Sequence, residues 1–163
     1  MREKEARVKK LLIASLAATA ALFAAGCGGG SDEATEPLQD GVYEYELTKE
    51  YLLENGIAEG QAEGESGDHE VTLDNGEFVD KWKTAENRTG SCSGTYESDG
   101  NRVTFMWTTG CFGDWEMSYS VDGDTVTWSD QEALPPYDSD EDQKVNEVFN
   151  SVPWTRVADV DGS

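Results

Sequence analysis

From residue 41 onward the chain alternates apolar and polar positions in short runs, with a turn dipeptide in the middle of each pair of runs. In "GVYEYELT", Tyr43, Tyr45 and Leu47 alternate with Val42, Glu44 and Glu46. Asn75-Gly76, Asp99-Gly100 and Asp122-Gly123 then recur as hairpin signals, because such pairs supply the positive φ angles that two-residue loops need. Period-2 alternation marks a strand with one buried face. The pattern predicts hairpins 69–74/77–83, 92–98/101–108 and 114–121/124–130, with "PWTRV" (153–157) as a last short strand.

Two segments break the alternation. "TKEYLLENG" opens on Thr48 as an N-cap and stops at Gly56, which predicts a short helix over 48–55. "SDEDQKVNEVFNS" pairs Ser139 with Asp142 as in a capping box and puts Val145, Val148 and Phe149 on one face. "AEGQAEGESGD" (58–68) reads as a mobile loop. The expected fold is all-β: an eight-stranded antiparallel up-and-down β-barrel with two short helices. An eight-stranded meander with one apolar face removes its edges by closing on itself. An open sandwich is the alternative.

Counting outward from each turn dipeptide assigns the faces. Leu73 falls opposite Phe78, Val71 opposite Asp80 and His69 opposite Trp82. Around the second turn Tyr96 meets Val103, Gly94 meets Phe105 and Cys92 meets Trp107; around the third Tyr119 meets Val126 and Met117 meets Trp128. The other face carries Thr104, Thr108, Glu116, Ser118, Ser120, Thr125 and Thr127, so the pattern is hydrophobic-in and polar-out.

Ahead of the strands lies a different composition. Arg2, Lys4, Arg7, Lys9 and Lys10 precede an apolar run from Leu11 to Ala25, the form of an export signal over 1–26. The run falls short of the ~20 residues a spanning helix needs. It ends Ala24-Ala25-Gly26-Cys27, which resembles the bacterial lipobox. That resemblance implies cleavage before Cys27, a diacylglyceryl anchor (palmitate-type acyl chains) on its thiol, and a cell-membrane location facing the extracytoplasmic side. Residues 27–40 have the composition of a flexible tether. Ordinary secretory cleavage with Cys27 incidental is the competing reading. Cysteine parity separates the two. The chain has three cysteines; if Cys27 carries lipid, Cys92 and Cys111 remain as a pair. Register places Cys92 at the foot of one strand and Cys111 just past the end of its partner, a spacing that suits a disulfide.

Charge narrows the partners. The chain holds 12 basic and 34 acidic residues. Loss of 1–26 removes five basic and two acidic groups and leaves seven against 32, a net charge near −25. Such a surface repels nucleic acid and anionic lipid headgroups, so nucleic acid is not an expected partner.

Gly41-Val42-Tyr43, the meander and "PWTRV" resemble the calycin group of lipocalin-like barrels. The stretch from "GVYEYELTKEYLLENG" through "CSGTYESDGNRVTF" to "FNSVPWTRV" is similar to lipocalin-like domains of actinobacterial lipoproteins, some of them appended to transporter solute-binding proteins. The resemblance covers about 41–158, leaving 159–163 as a tail. It implies a barrel that binds a small hydrophobic or amphiphilic ligand, with a transporter or other envelope protein as a further partner. It also implies that a late arginine, here Arg156, packs across the first-strand aromatic, here Tyr43. It transfers no catalytic residue.

Enzyme chemistry is not expected. The chain has one histidine and no Gly-x-Ser-x-Gly, phosphate loop or zinc spacing, and no cofactor is expected. Asp138, Asp140 and Asp142 open like a calcium loop, but Gln143 and Phe149 stand where that loop needs glycine and a bidentate glutamate. The candidate ligand-binding set is His69, Asp80, Trp82, Trp107, Tyr119 and Arg156, polar groups among inward aromatics. Asp80 and Arg156 are expected to pair with each other, to sit in water at the barrel mouth, or to orient a ligand's polar group. Inward bulk from Tyr43 to Trp154 favours a barrel filled by its own side chains, a structural or interaction lipoprotein. Gly94 and the helix at 48–55 favour a cavity.

Overall fold

The computed structural model describes residues 36–111, 113–136 and 140–160. The expected export signal, Cys27, most of the expected tether, Asp138 and Ser139 and the last three residues lie outside the described residues. Eight strands form a closed antiparallel barrel in chain order: β1 (Gly41–Leu47), β2 (Gly67–Asp74), β3 (Glu77–Thr84), β4 (Thr89–Asp99), β5 (Arg102–Thr109), β6 (Asp114–Asp122), β7 (Thr125–Leu134) and β8 (Trp154–Ala158). The short β8 pairs with both β7 and β1 and closes the sheet, so the open-sandwich alternative is excluded. Among the described residues three helices accompany the strands: α1 (Lys49–Glu54), α2 (Glu59–Glu65) and α3 (Asp140–Asn150). The expected pair of helices is therefore short by one. Residues 59–65, read as loop, are helical, because Ala62 docks beside Leu52 and Ile57 in a second apolar cluster. That contact outweighs a glycine- and glutamate-rich composition with little helical signal of its own.

The first hairpin has the expected register, with His69 opposite Trp82, Val71 opposite Asp80 and Leu73 opposite Phe78. Asn75 and Gly76 both take positive φ (50° and 84°), as a type I′ loop requires. The other two hairpins are displaced by two residues from the expected pairing. Asp99 pairs with Arg102 and Asp122 with Thr125, so the loops are Gly100-Asn101 and Gly123-Asp124. In each, glycine is the first loop residue and takes the positive φ (61° and 60°) of a II′-type loop. Tyr96 consequently faces Phe105, and Tyr119 faces Trp128. A slip of two preserves the face, so the inward set survives the correction. Ser118 keeps its place on the outer face but is buried there, with the Arg102 guanidinium reaching its hydroxyl.

The interior is packed by aromatics. Phe105 sits 5.1 Å, ring centre to ring centre, from Phe78, 6.1 Å from Trp128 and 5.9 Å from Trp154. Gly94 opens no space, contrary to expectation. A Cβ there would lie 2.8 Å from the Phe78 ring and 2.0 Å from the Met106 carbonyl. The interior void beneath the helices is about 30 Å³, roughly one water's share of liquid volume.

The two ends of the barrel differ. The three tight turns share one end, which residues 37–40 seal. Leu38 is buried and its N–H donates to Tyr119 Oη at 3.0 Å, while Tyr119 Oη donates to the Gly100 carbonyl at 2.9 Å. Tyr43 Oη donates to the Gln39 carbonyl at 2.6 Å, and Tyr96 Oη to the Asp40 carboxylate. The end of the tether segment is thus part of the base. At the opposite end, α1, α2 and α3 meet in the second apolar cluster, with Leu47, Leu52 and Val148 among its members. Thr48 caps α1 by accepting from the Tyr51 N–H, and Tyr51 Oη donates to the Val148 carbonyl at 3.1 Å, tying α1 to α3. The Cys92–Cys111 disulfide is formed, with the two Cα atoms 5.4 Å apart. It fastens the loop after β5 to β4 at this same end.

Candidate functional site at the barrel mouth

Inward residues near the helical end of five strands converge under α3. Tyr45 comes from β1, His69 from β2, Asp80 and Trp82 from β3, Trp107 from β5 and Trp115 from β6. With Phe149, Asn146 and Asn150 of α3 and Glu65 of α2 they line a pocket of about 190 Å³. The small interior void lies directly below and shares Tyr45, Asp80, Trp107, Trp115 and Asn150. The pocket is therefore a shallow bowl with a filled barrel beneath it. A larger hollow of about 720 Å³ is lined mainly by charged side chains of β1–β3, including Glu44, Glu46, Asp68, Lys81 and Lys83. It is an open trough that shares Tyr45, His69 and Trp82 with the mouth, and binding sites for small molecules are concavities with apolar walls and a few placed polar groups. The mouth adds Trp107, Trp115 and Phe149 and carries few charges, whereas six of the eleven residues lining the trough are charged.

At the centre of the bowl His69 Nδ1 lies 3.2 Å from Asp80 Oδ1, with the two side chains 13% and 14% exposed. The β2–β3 register places them two residues out of step, so the contact is diagonal on the inner face. The imidazole stacks on Tyr45 at 4.4 Å and 14°, Tyr45 stacks on Trp154 at 5.7 Å, and Trp82 stands on the other side of His69 at 6.3 Å. Trp82 lies over its strand partner Gly90, where a Cβ would come within 2.3 Å of the indole. Desolvation among these rings pushes the Tyr45 phenol well above its ordinary value, and the Asp80 charge pushes it the same way. Tyr45 therefore stays protonated.

Of the six residues expected to bind a ligand, His69, Asp80, Trp82 and Trp107 come together here. Tyr119 and Arg156 do not. Tyr119 belongs to the sealed base. The expected Asp80–Arg156 pair is replaced by Asp80–His69, because Arg156 lies toward the base end of β8. It is the strand partner of Tyr43 and donates to the Asp40 carbonyl at 2.9 Å and to Asp159 at 2.6 Å. Asn146, Asn150 and Glu65 were not anticipated. For the asparagines a signal existed: they stand four apart, beside the apolar positions of α3, and so share a face.

The site offers a buried carboxylate, an imidazole whose tautomer that carboxylate orients, side-chain amides and indole walls. The one sulfur lining it belongs to the disulfide, and no serine or threonine lines it among the described residues. Its groups suit binding and orientation. No protein-family model, curated protein or solved structure matches this chain.

Proposed function

We propose that the chain is a lipid-anchored extracytoplasmic lipoprotein whose lipocalin-like barrel binds a small hydrophobic or amphiphilic molecule at its mouth. The observation that carries this reading is the Asp80–His69 pair standing at the floor of an aromatic-walled bowl. Burying a carboxylate in apolar surroundings is costly, and a structural core gains nothing from placing one there. The lipobox-like Ala24-Ala25-Gly26-Cys27 and the tether-like composition that follows support the anchor. A transporter or other envelope protein as recipient of the ligand follows from the resemblance to domains joined to solute-binding proteins.

The volume limits the ligand. About 190 Å³ equals roughly six waters' share of liquid, enough for a compact head group and too little for a long acyl chain. The packed interior favours a second reading, an interaction module with no small-molecule ligand. Native mass spectrometry of the full-length protein, released gently from membranes, separates the two. Binding at the mouth predicts a bound small molecule that disappears in Trp107→Ala. A ligand-free protein under all release conditions favours the interaction module.

A further inference from the structure

We infer that the mouth selects a small organic cation, a primary or quaternary ammonium head held by Asp80 against indole walls. This rests on the mouth being a ligand site, and adds the sign of the ligand's charge.

The argument is one of charge accounting. The barrel unit holds seven basic residues, and none of them lines the bowl. Lys49 pairs with Glu59 and Glu63, Lys81 with Glu70, and Arg88 with Glu86, all on the outside. Arg102 is engaged by Glu116, Arg156 by Asp40 and Asp159 at the base. Lys83 is exposed in the outer trough, and the Lys144 ammonium lies over Gly56. Among the described residues Asp80 has His69 as its hydrogen-bond partner, through a single ring nitrogen shared between its two oxygens at 3.2 and 3.4 Å. A carboxylate accepts about four hydrogen bonds, so most of its capacity faces the bowl. Glu65 at the rim adds a second acidic group.

The walls suit the same ligand. Trp82, Trp107 and Trp115 line the bowl, and indole is the best of the aromatic partners for a cation, more so when water is excluded. A net charge of −22 on the whole chain raises the local concentration of cations around it. An anionic ligand would meet two carboxylates and no lysine or arginine, and the one imidazole there is already engaged by Asp80.

The test titrates tryptophan fluorescence of the full-length protein with three probes of one shape: choline, its neutral isostere with carbon in place of nitrogen, and tert-butylacetate. Choline is expected to bind on the order of tenfold more tightly than the neutral isostere, with tert-butylacetate weakest and choline affinity falling as salt rises. Asp80→Asn should bring choline down to the level of the isostere and leave the isostere unchanged. Glu65→Gln, at an exposed rim position, should weaken choline about twofold and keeps the test open if Asp80→Asn fails to fold. Equal or tighter binding of the isostere or of tert-butylacetate would overturn the cation inference while leaving the mouth as a site. Absence of any response to choline from folded protein would overturn it as well, and the native mass spectrum then judges the mouth independently.

Discussion

His69 and Asp80 meet diagonally across β2 and β3 at 3.2 Å, inside a barrel whose other inward side chains are almost all apolar or aromatic. Such a pair either holds the sheet together or holds something else. Its energetic role is separable from its binding role. Removing one partner leaves the other desolvated, which costs about 1–3 kcal/mol. His69→Ala and Asp80→Ala are each expected to lower stability by that amount in urea melts. The double variant should cost less than the sum of the two. Strict additivity would show that the two side chains do not interact.

The disulfide spans 19 residues and joins β4 to the loop that follows β5. The Cys92→Ser/Cys111→Ser double variant should lose about 3 kcal/mol, chiefly through a freer unfolded chain. Because Cys111 lines the bowl, ligand-induced stabilisation should fall along with it. Intact mass with and without reductant checks the bridge; two free thiols in the purified protein would contradict it.

Gly94 lies where the Phe78 ring and the β5 backbone converge, with the Met106 carbonyl 2.0 Å from any added Cβ. Backbone cannot swing aside as a side chain does. Gly94→Ala is expected to destabilise by about 1–3 kcal/mol, whereas Gly100→Ala, with open space around it, should suffer only the backbone cost of its positive φ. Equal melting curves for Gly94→Ala and the wild type would show that the Phe78–Gly94 contact is absent.

The base should make the fold sensitive to alkali. Burial raises the Tyr96 phenol, and its hydrogen bond to Asp40 raises it further; burial also raises Tyr43 beside it. An unfolded tyrosine ionises near pH 10. The folded state therefore retains protons that the unfolded state loses, and stability must decline once pH passes about 10. Below that value these groups contribute fully. Tyrosinate absorbance should lag behind that of the free amino acid and rise together with unfolding. Normal titration of all tyrosines with the barrel intact would contradict the packing of the base.

The anchor is tested by Cys27→Ser. The proposal predicts release from the membrane fraction or arrested processing. Normal maturation with unchanged membrane retention would remove the lipoprotein from the account.

Much of the barrel was legible because alternation reports which face a residue takes, and that survives even a two-residue slip. The slip itself arose because Asp-Gly does not say whether glycine is the first or the second loop residue; Gly100 and Gly123 are first, Gly76 second. Alternation says nothing about height along the barrel. Tyr119 and His69 both point inward, yet Tyr119 stands three residues before Asp122, where its strand turns at the base, while His69 stands near the opposite end of β2. Counting from the turns would have separated them. Asn146, Asn150 and Glu65 reach the bowl only because α2 and α3 dock across the mouth, and contacts so distant in the chain leave no local signal beyond the spacing of the asparagines.

The most direct measurement maps ligand contacts onto the five tryptophans by their indole N–H resonances. Small amphiphiles and ammonium compounds are titrated into the isotope-labelled full-length protein. Binding at the mouth predicts shifts at Trp82, Trp107 and Trp115, with Trp128, deep in the packed interior, unmoved. Shifts centred on Trp128, or no shift at any indole across the series, would contradict the assignment of the mouth as the binding site.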